Sequence, residues 1–206
     1  IGGKSERLAH LKIPKTHREN GVQKKLFENE DLEPYITVQK TLSDILDLDP
    51  ARFDRNDNPP VDYPKKPQSE YQKYLRENSQ LLCDHYAPNH SQKVIDRISH
   101  IPQGGNHSSL PEEYQLKGGY PNIYGRLSLE KPSDTITGNC GCVSAPGRFV
   151  HPTQNRALSV REAARLQSFP DTFRFCGTLG QRYKQIGNAV PPLLGKAIAE
   201  SIKKIL

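Results

Sequence analysis

The sequence contains no methionine and no tryptophan, and only 34% of its 206 residues are hydrophobic. No run of 18 apolar residues occurs and no leader-like segment opens the chain, so neither a membrane-spanning helix nor a signal peptide is read. The cysteines are few, and none of Cys83, Cys140, Cys142 and Cys176 stands in a Cys-x-x-Cys pair. Cys140 and Cys142 flank a single Gly, which is poor spacing for tetrahedral zinc, so free thiols are expected and no metal site. No strand–Gly-x-Gly-x-x-Gly–helix segment appears. The double glycines at 2–3, 104–105 and 118–119 read as turns. With Ile at position 1 and no Met anywhere, the chain reads as the distal part of a longer product.

What is present points to a loop-rich chain of one domain or two small ones, with 17 Pro and 15 Gly. The net charge of +6 is unevenly spread. Residues 1–30 hold seven Lys/Arg against four Asp/Glu, and residues 31–60 hold three against seven. Residues 61–130 balance, and residues 131–206 hold eleven against four, a surplus of +7. Such a surplus suits a phosphate-facing surface and equally an ordinary solvated basic one.

Local signals place several elements. Residues 34–38 read as extended and lead into a helical turn or two at 41–46. Residues 49–69 are Pro- and Asp-rich and read as irregular loop. A polar helix is expected over 69–82 and a short one around Val94, Ile95, Ile98 and Ile101. Thr135–Thr137 and Phe149–Val150 read as short strands. Ser159-Val-Arg-Glu162 is a capping box, opening a helix that Pro170 should stop. After Pro191-Pro192, a helix carries an apolar stripe of Leu193, Leu194, Ala197, Ile198, Ile202 and Ile205.

Three stretches carry a resemblance. Arg156-Ala-Leu-Ser-Val-Arg-Glu-Ala-Ala-Arg-Leu-Gln167, followed by Ser168-Phe-Pro-Asp171, is similar to the penultimate motif block of the C5-cytosine DNA methyltransferases. Gln185-Ile-Gly-Asn-Ala-Val-Pro-Pro192 is similar to the last block. Tyr124-Gly-Arg-Leu127 and Lys131-Pro-Ser-Asp-Thr-Ile-Thr-Gly138 resemble the middle of the family's target recognition domain. The likeness is strongest over 124–206 and weaker over 1–123.

The resemblance implies a fold and a division of labour. The fold is α+β: an irregular target recognition domain, then a C-terminal helix of a Rossmann-like α/β methyltransferase domain whose main part is missing. Residues 1–10 would be the tail of the catalytic domain, 11–157 the recognition domain, and 158–206 the returning blocks. The family transfers a methyl group from S-adenosylmethionine to cytosine in double-stranded DNA. Its nucleophile is a Cys after Pro, whereas the four cysteines here follow Leu82, Asn139, Gly141 and Phe175. No catalytic residue is therefore assigned. Gly187, Asn188 and Ala189 would border the cofactor. Thr137, Arg126, Gly138, Asn139 and Gly141 would face DNA, with Thr137 on a phosphate and Arg126 on a guanine edge or phosphate. Glu162 and Arg165 would be structural ion-pair members. The expected partner is a missing N-terminal catalytic portion or subunit, and the setting a bacterial cytoplasm with a restriction–modification system. A non-catalytic DNA-recognition subunit of a split methyltransferase fits the same residues, and a stand-alone DNA-binding domain fits them less well, because the apolar C-terminal stripe needs a cover.

Overall fold

Side-chain caps fix where four of the six described α-helices begin. The computed structural model describes residues 17–18, 33–54, 59–117 and 120–204. The expected tail at 1–10 and the turns at 2–3 and 118–119 lie outside the described residues. Helix α1 (Val38–Leu42) starts at Thr37 and α2 (Glu70–Leu75) at Ser69, each side chain accepting an amide of the first turn. Helix α3 spans Gln92–Ser99. Helix α4 (Val160–Leu166) opens with the expected box, as Ser159 Oγ accepts from Glu162 N and Glu162 Oε2 accepts from Ser159 N. Helix α5 (Leu179–Gly187) has a second box, Thr178 with Gln181. Helix α6 (Pro192–Lys203) starts on Pro at its first turn.

Three helices differ from the sequence expectation at their ends. Helix α1 begins at Val38, before the expected 41–46. The 69–82 helix stops at Leu75, and Asn78 turns the chain in the left-handed region at φ 60°. Helix α4 ends before Pro170 is reached. Ser168 takes φ 63°, its amide bonds Arg165 O, and the Phe169 amide bonds Ala164 O, a Schellman closure with Ser in place of Gly.

The strands are short and pair in parallel. Strand β1 (His17–Arg18) pairs β2 (Glu33–Pro34), β3 (Ala51–Arg52) pairs β4 (Tyr86–Ala87), and β5 (Gly125–Arg126) pairs β6 (Arg148–Val150). The β5–β6 approach needs Gly125, since a Cβ there would overlap Gly147 and Arg148. Residues 135–137, expected as a strand, join no ladder; the chain turns instead, with Cys140 N on Thr137 O and Cys142 N on Asn139 O.

Two compact units divide at Tyr35/Ile36 and Ala189/Val190. One unit joins residues 1–35 to 190–206; in it, the α6 stripe is half-buried at Leu193, Ala197, Ile198 and Ile202, and exposed at Leu194. The other, 36–189, keeps α4 with the preceding residues. Its main core gathers Val38, Leu42, Phe149, Leu158, Ala163, Tyr183 and Ile186, among others. A second cluster holds Ile98, Ile101, Ile123 and Val150. The two-residue period of β6 sends Phe149 to one cluster and Val150 to the other. The whole is a mixture of helices and small sheets, consistent with the expected α+β class.

Candidate functional site

The site is built on α4, whose charged side chains point inward. Arg165 is buried between two carboxylates: Nη1 donates to Asp44 Oδ1 at 2.6 Å and Nη2 to Asp171 Oδ2 at 2.6 Å. Burial opposes its charge, but the two aspartates outweigh that and hold its guanidinium firmly protonated. Arg161 donates to Asp84 at 3.1 Å and to the carbonyls of Cys83, Pro170 and Phe173. Glu162 takes a bidentate pair from Arg156, both bonds at 2.8 Å. Burial would raise its carboxyl, yet Arg156 above all holds it below the usual carboxylate range.

The C-cap of α4 is where the three motif stretches meet. Gln167 Nε2 lies 3.4 Å from Ile136 O and 3.3 Å from Ile186 O, a pair of long hydrogen bonds between the Thr-Ile-Thr segment and the end of α5. Gly187 then packs directly on the Thr137–Gly138 peptide, where a Cβ would overlap backbone atoms. Gly141 packs on the Tyr183 ring in the same way. A Cβ on Gly138 would lie 3.5 Å from Asn188 Oδ1. Asn188 is the C-cap of α5, at a helix exit instead of the helix entry that Pro191-Pro192 suggests.

Helix α5 separates two open grooves. One, of about 260 Å³, is lined by Gly138, Asn139, Gly141 and Cys142 on the loop side and by Leu179, Tyr183 and Lys184 on the helix. The other, of about 440 Å³, is lined by Cys176, Gly177, Gln185 and Asn188. Thr137 and Asn139 are exposed. Of the three residues expected at the cofactor, only Asn188 lines a groove; Gly187 faces the Thr137 peptide, and Ala189 is half-buried against the core.

The model of the C-5 cytosine-specific DNA methylase family matches residues 6–204. The chain belongs to this family. It is 32% identical to the type II methyltransferase M.AgeI of Thalassovita gelatinovora, over 86% of this chain and 53% of that one. It is 43% identical to M1.HphI of Haemophilus parahaemolyticus over 63% of this chain and 33% of the relative. The chain thus spans between a third and about half of these relatives' lengths. A crystal structure described as a DNA modification methyltransferase encoded within a prophage (E. coli) shares the fold, with TM-score 0.63 and 22% identity, over 89% of this chain and 51% of that one. No helix among the described residues is long and apolar enough to cross a membrane.

Two expectations, one carried from the family and one read from charge, change on this geometry. Arg126 does not face outward. It is 4% exposed, and its five donors go to Ile101 O, His151 O, Gln154 O, Ile98 O and Asn155 Oδ1. No N–H remains for a base or phosphate, so Arg126 is a strut that ties together the segments around residues 98–101 and 151–155. The +7 surplus is also smaller than it reads as a surface, because Arg161 and Arg182 share Asp84, and Arg165 meets Asp44, both acids from outside that segment. Sequence reasoning missed α5 as a helix, although the Thr178-x-x-Gln181 box announces it. It also missed Lys184, exposed and bordering both grooves.

Proposed function

We propose that the chain is the DNA-recognising and cofactor-closing portion of a DNA (cytosine-5-)-methyltransferase. The enzyme transfers a methyl group from S-adenosylmethionine to cytosine at a defined sequence in double-stranded DNA. The convergence of the three family stretches on Gln167 carries this reading. The Thr137 loop and the last motif block, whose first residues end α5, are in contact, the loop beside one groove and Asn188 beside the other. Thr137, Gly138, Asn139 and Gly141 face DNA; Asn188 offers a carbonyl acceptor and an amide donor to the cofactor's methionine end. Gly187 locks the two together, and Ala189, which lacks a hydroxyl, contributes only backbone. S-adenosylmethionine supplies the methyl group when bound.

The domain assignment is part of the same proposal: 1–10 with the catalytic domain, 11–157 as the recognition domain, 158–206 as the returning blocks, and the last helix on a Rossmann-like α/β body. The setting is a bacterial cytoplasm, in a restriction–modification system. With no Pro-Cys dipeptide, this chain has no methyltransferase activity alone. Labelled methyl transfer to mixed-sequence duplex tests this. The expected result is none from the purified chain, and transfer once a family catalytic portion with its Pro-Cys nucleophile is supplied. Transfer by the chain alone contradicts it.

A further inference from the structure

The smaller groove beside α5 combines apolar walls with one free cation. Pro88, Leu179, Cys142 and the edge of Tyr183 form the walls, and Lys184 stands on the rim. The shape is preset. Tyr183 is buried, its hydroxyl donates to Leu158 O at 2.7 Å, and Gly141 seats against its ring with no room for a side chain. Gly187 fixes α5 on the Thr137–Gly138 peptide, so the rim position of Lys184 is set relative to the recognition loop. Lys184 is exposed, and among the described residues no carboxylate pairs with it. Its neighbour Arg182 shows the contrast, being held by Asp84.

A fixed apolar slot with an unpaired ammonium at its edge suits a nucleic-acid strand, which offers phosphate charge beside flat, weakly polar sugar and base surfaces. We propose that this groove is a DNA-strand site, with a phosphodiester on Lys184 Nζ and the adjoining sugar or base against Leu179, Pro88 and Tyr183. This rests on the DNA-recognition reading above and extends the DNA surface from the Thr137 loop onto α5.

Gly180 gives a clean probe of the slot. It lines the groove, and a Cβ there meets nothing within 4 Å, so a larger side chain adds bulk at the groove's edge without disturbing the fold. The experiment is fluorescence anisotropy of a labelled mixed-sequence duplex with the full 206-residue chain, over a range of salt, with circular dichroism on each variant. Lys184→Gln should weaken binding several-fold and reduce the log–log salt slope by about 1. Lys184→Arg should keep the slope. Gly180→Leu should weaken binding several-fold with the slope unchanged. If the wild-type chain shows a clear salt slope but Lys184→Gln keeps it, or Gly180→Leu binds like wild type, the groove proposal is overturned and DNA recognition stands. If the wild-type chain itself binds with no salt slope, both fall together.

Discussion

Arg165 illustrates how much of this chain's charge is structural. Both of its partners are buried, and Asp44 lies far away in sequence. Replacing Arg165 with Leu removes the cation that two buried carboxylates share, leaving Asp44 with Arg76 at 3.1 Å and Asp171 with Arg161 at 3.8 Å, and should cost about 3–5 kcal/mol. Urea denaturation checks this, and a cost under about 1 kcal/mol would contradict it. His151 gives the matching pH prediction. Burial pushes its imidazole down to about 4, against an ordinary 6.5; Glu162, Arg156, His85 and Arg126 act on it electrostatically. Its Nδ1 accepts from the Gln154 amide at 3.0 Å, so it is neutral in the fold, and its Nε2 lies 3.5 Å from Glu162. The unfolded chain binds a proton near 6.5 and the folded chain only near 4. Stability is therefore full above about 6.5 and falls as pH drops toward 4. His151→Gln should show a shallower fall in Tm between pH 7 and 4.5 than wild type; an identical fall would contradict the assignment. At this scale the sequence revealed what is local. The Ser159–Glu162 box was legible because both partners lie within one turn. The inward turn of Arg126 was not, because its acceptors are carbonyls brought together only by the fold.

Among the elements, α5 decides the site's shape. Gly187→Ala must displace the Thr137–Gly138 peptide and should cost about 1–3 kcal/mol, as overpacking does. Gly180→Ala, in the same helix but open to solvent, should be neutral or stabilising by about 0.5–1 kcal/mol. Thermal denaturation of the pair tests whether the close approach is real, and equal effects would argue against it. The helices were read well where a cap or a stripe marked them, as in α4 and α6. The Thr135–Thr137 strand was misread because its β-branched residues fit a strand locally, while no neighbouring strand pairs with them. That segment instead supplies the backbone surface on which α5 ends. The 69–82 helix was overextended because its apolar spacing continues past Leu75, whereas Asn78 takes the left-handed turn.

For the whole molecule, the family was legible because its motif stretches are long and contiguous. The division into compact units was not, because ion pairs across distant positions bind α4 to residues 36–157. The basic C-terminal segment reads equally as a phosphate-facing or a solvated surface, yet five of its six arginines are ion-paired, with Arg161 and Arg165 in the interior. DNA binding by the isolated chain should therefore be weak, with a salt slope near −3, corresponding to about three phosphates. A filter-binding titration checks it, and a slope near zero contradicts it. The central claim is the proposal that the Thr137 loop faces DNA and that the Asn188 turn, where α5 ends against that loop, faces the cofactor. With the catalytic portion supplied, steady-state titration of both substrates tests it most directly. Thr137→Ala should raise KM for DNA more than for S-adenosylmethionine, by roughly ten- to hundredfold, the cost of one hydrogen bond to a charged phosphate. Asn188→Ala should do the reverse. The same pattern from both variants, or an Asn188→Ala effect on DNA alone, would contradict the division.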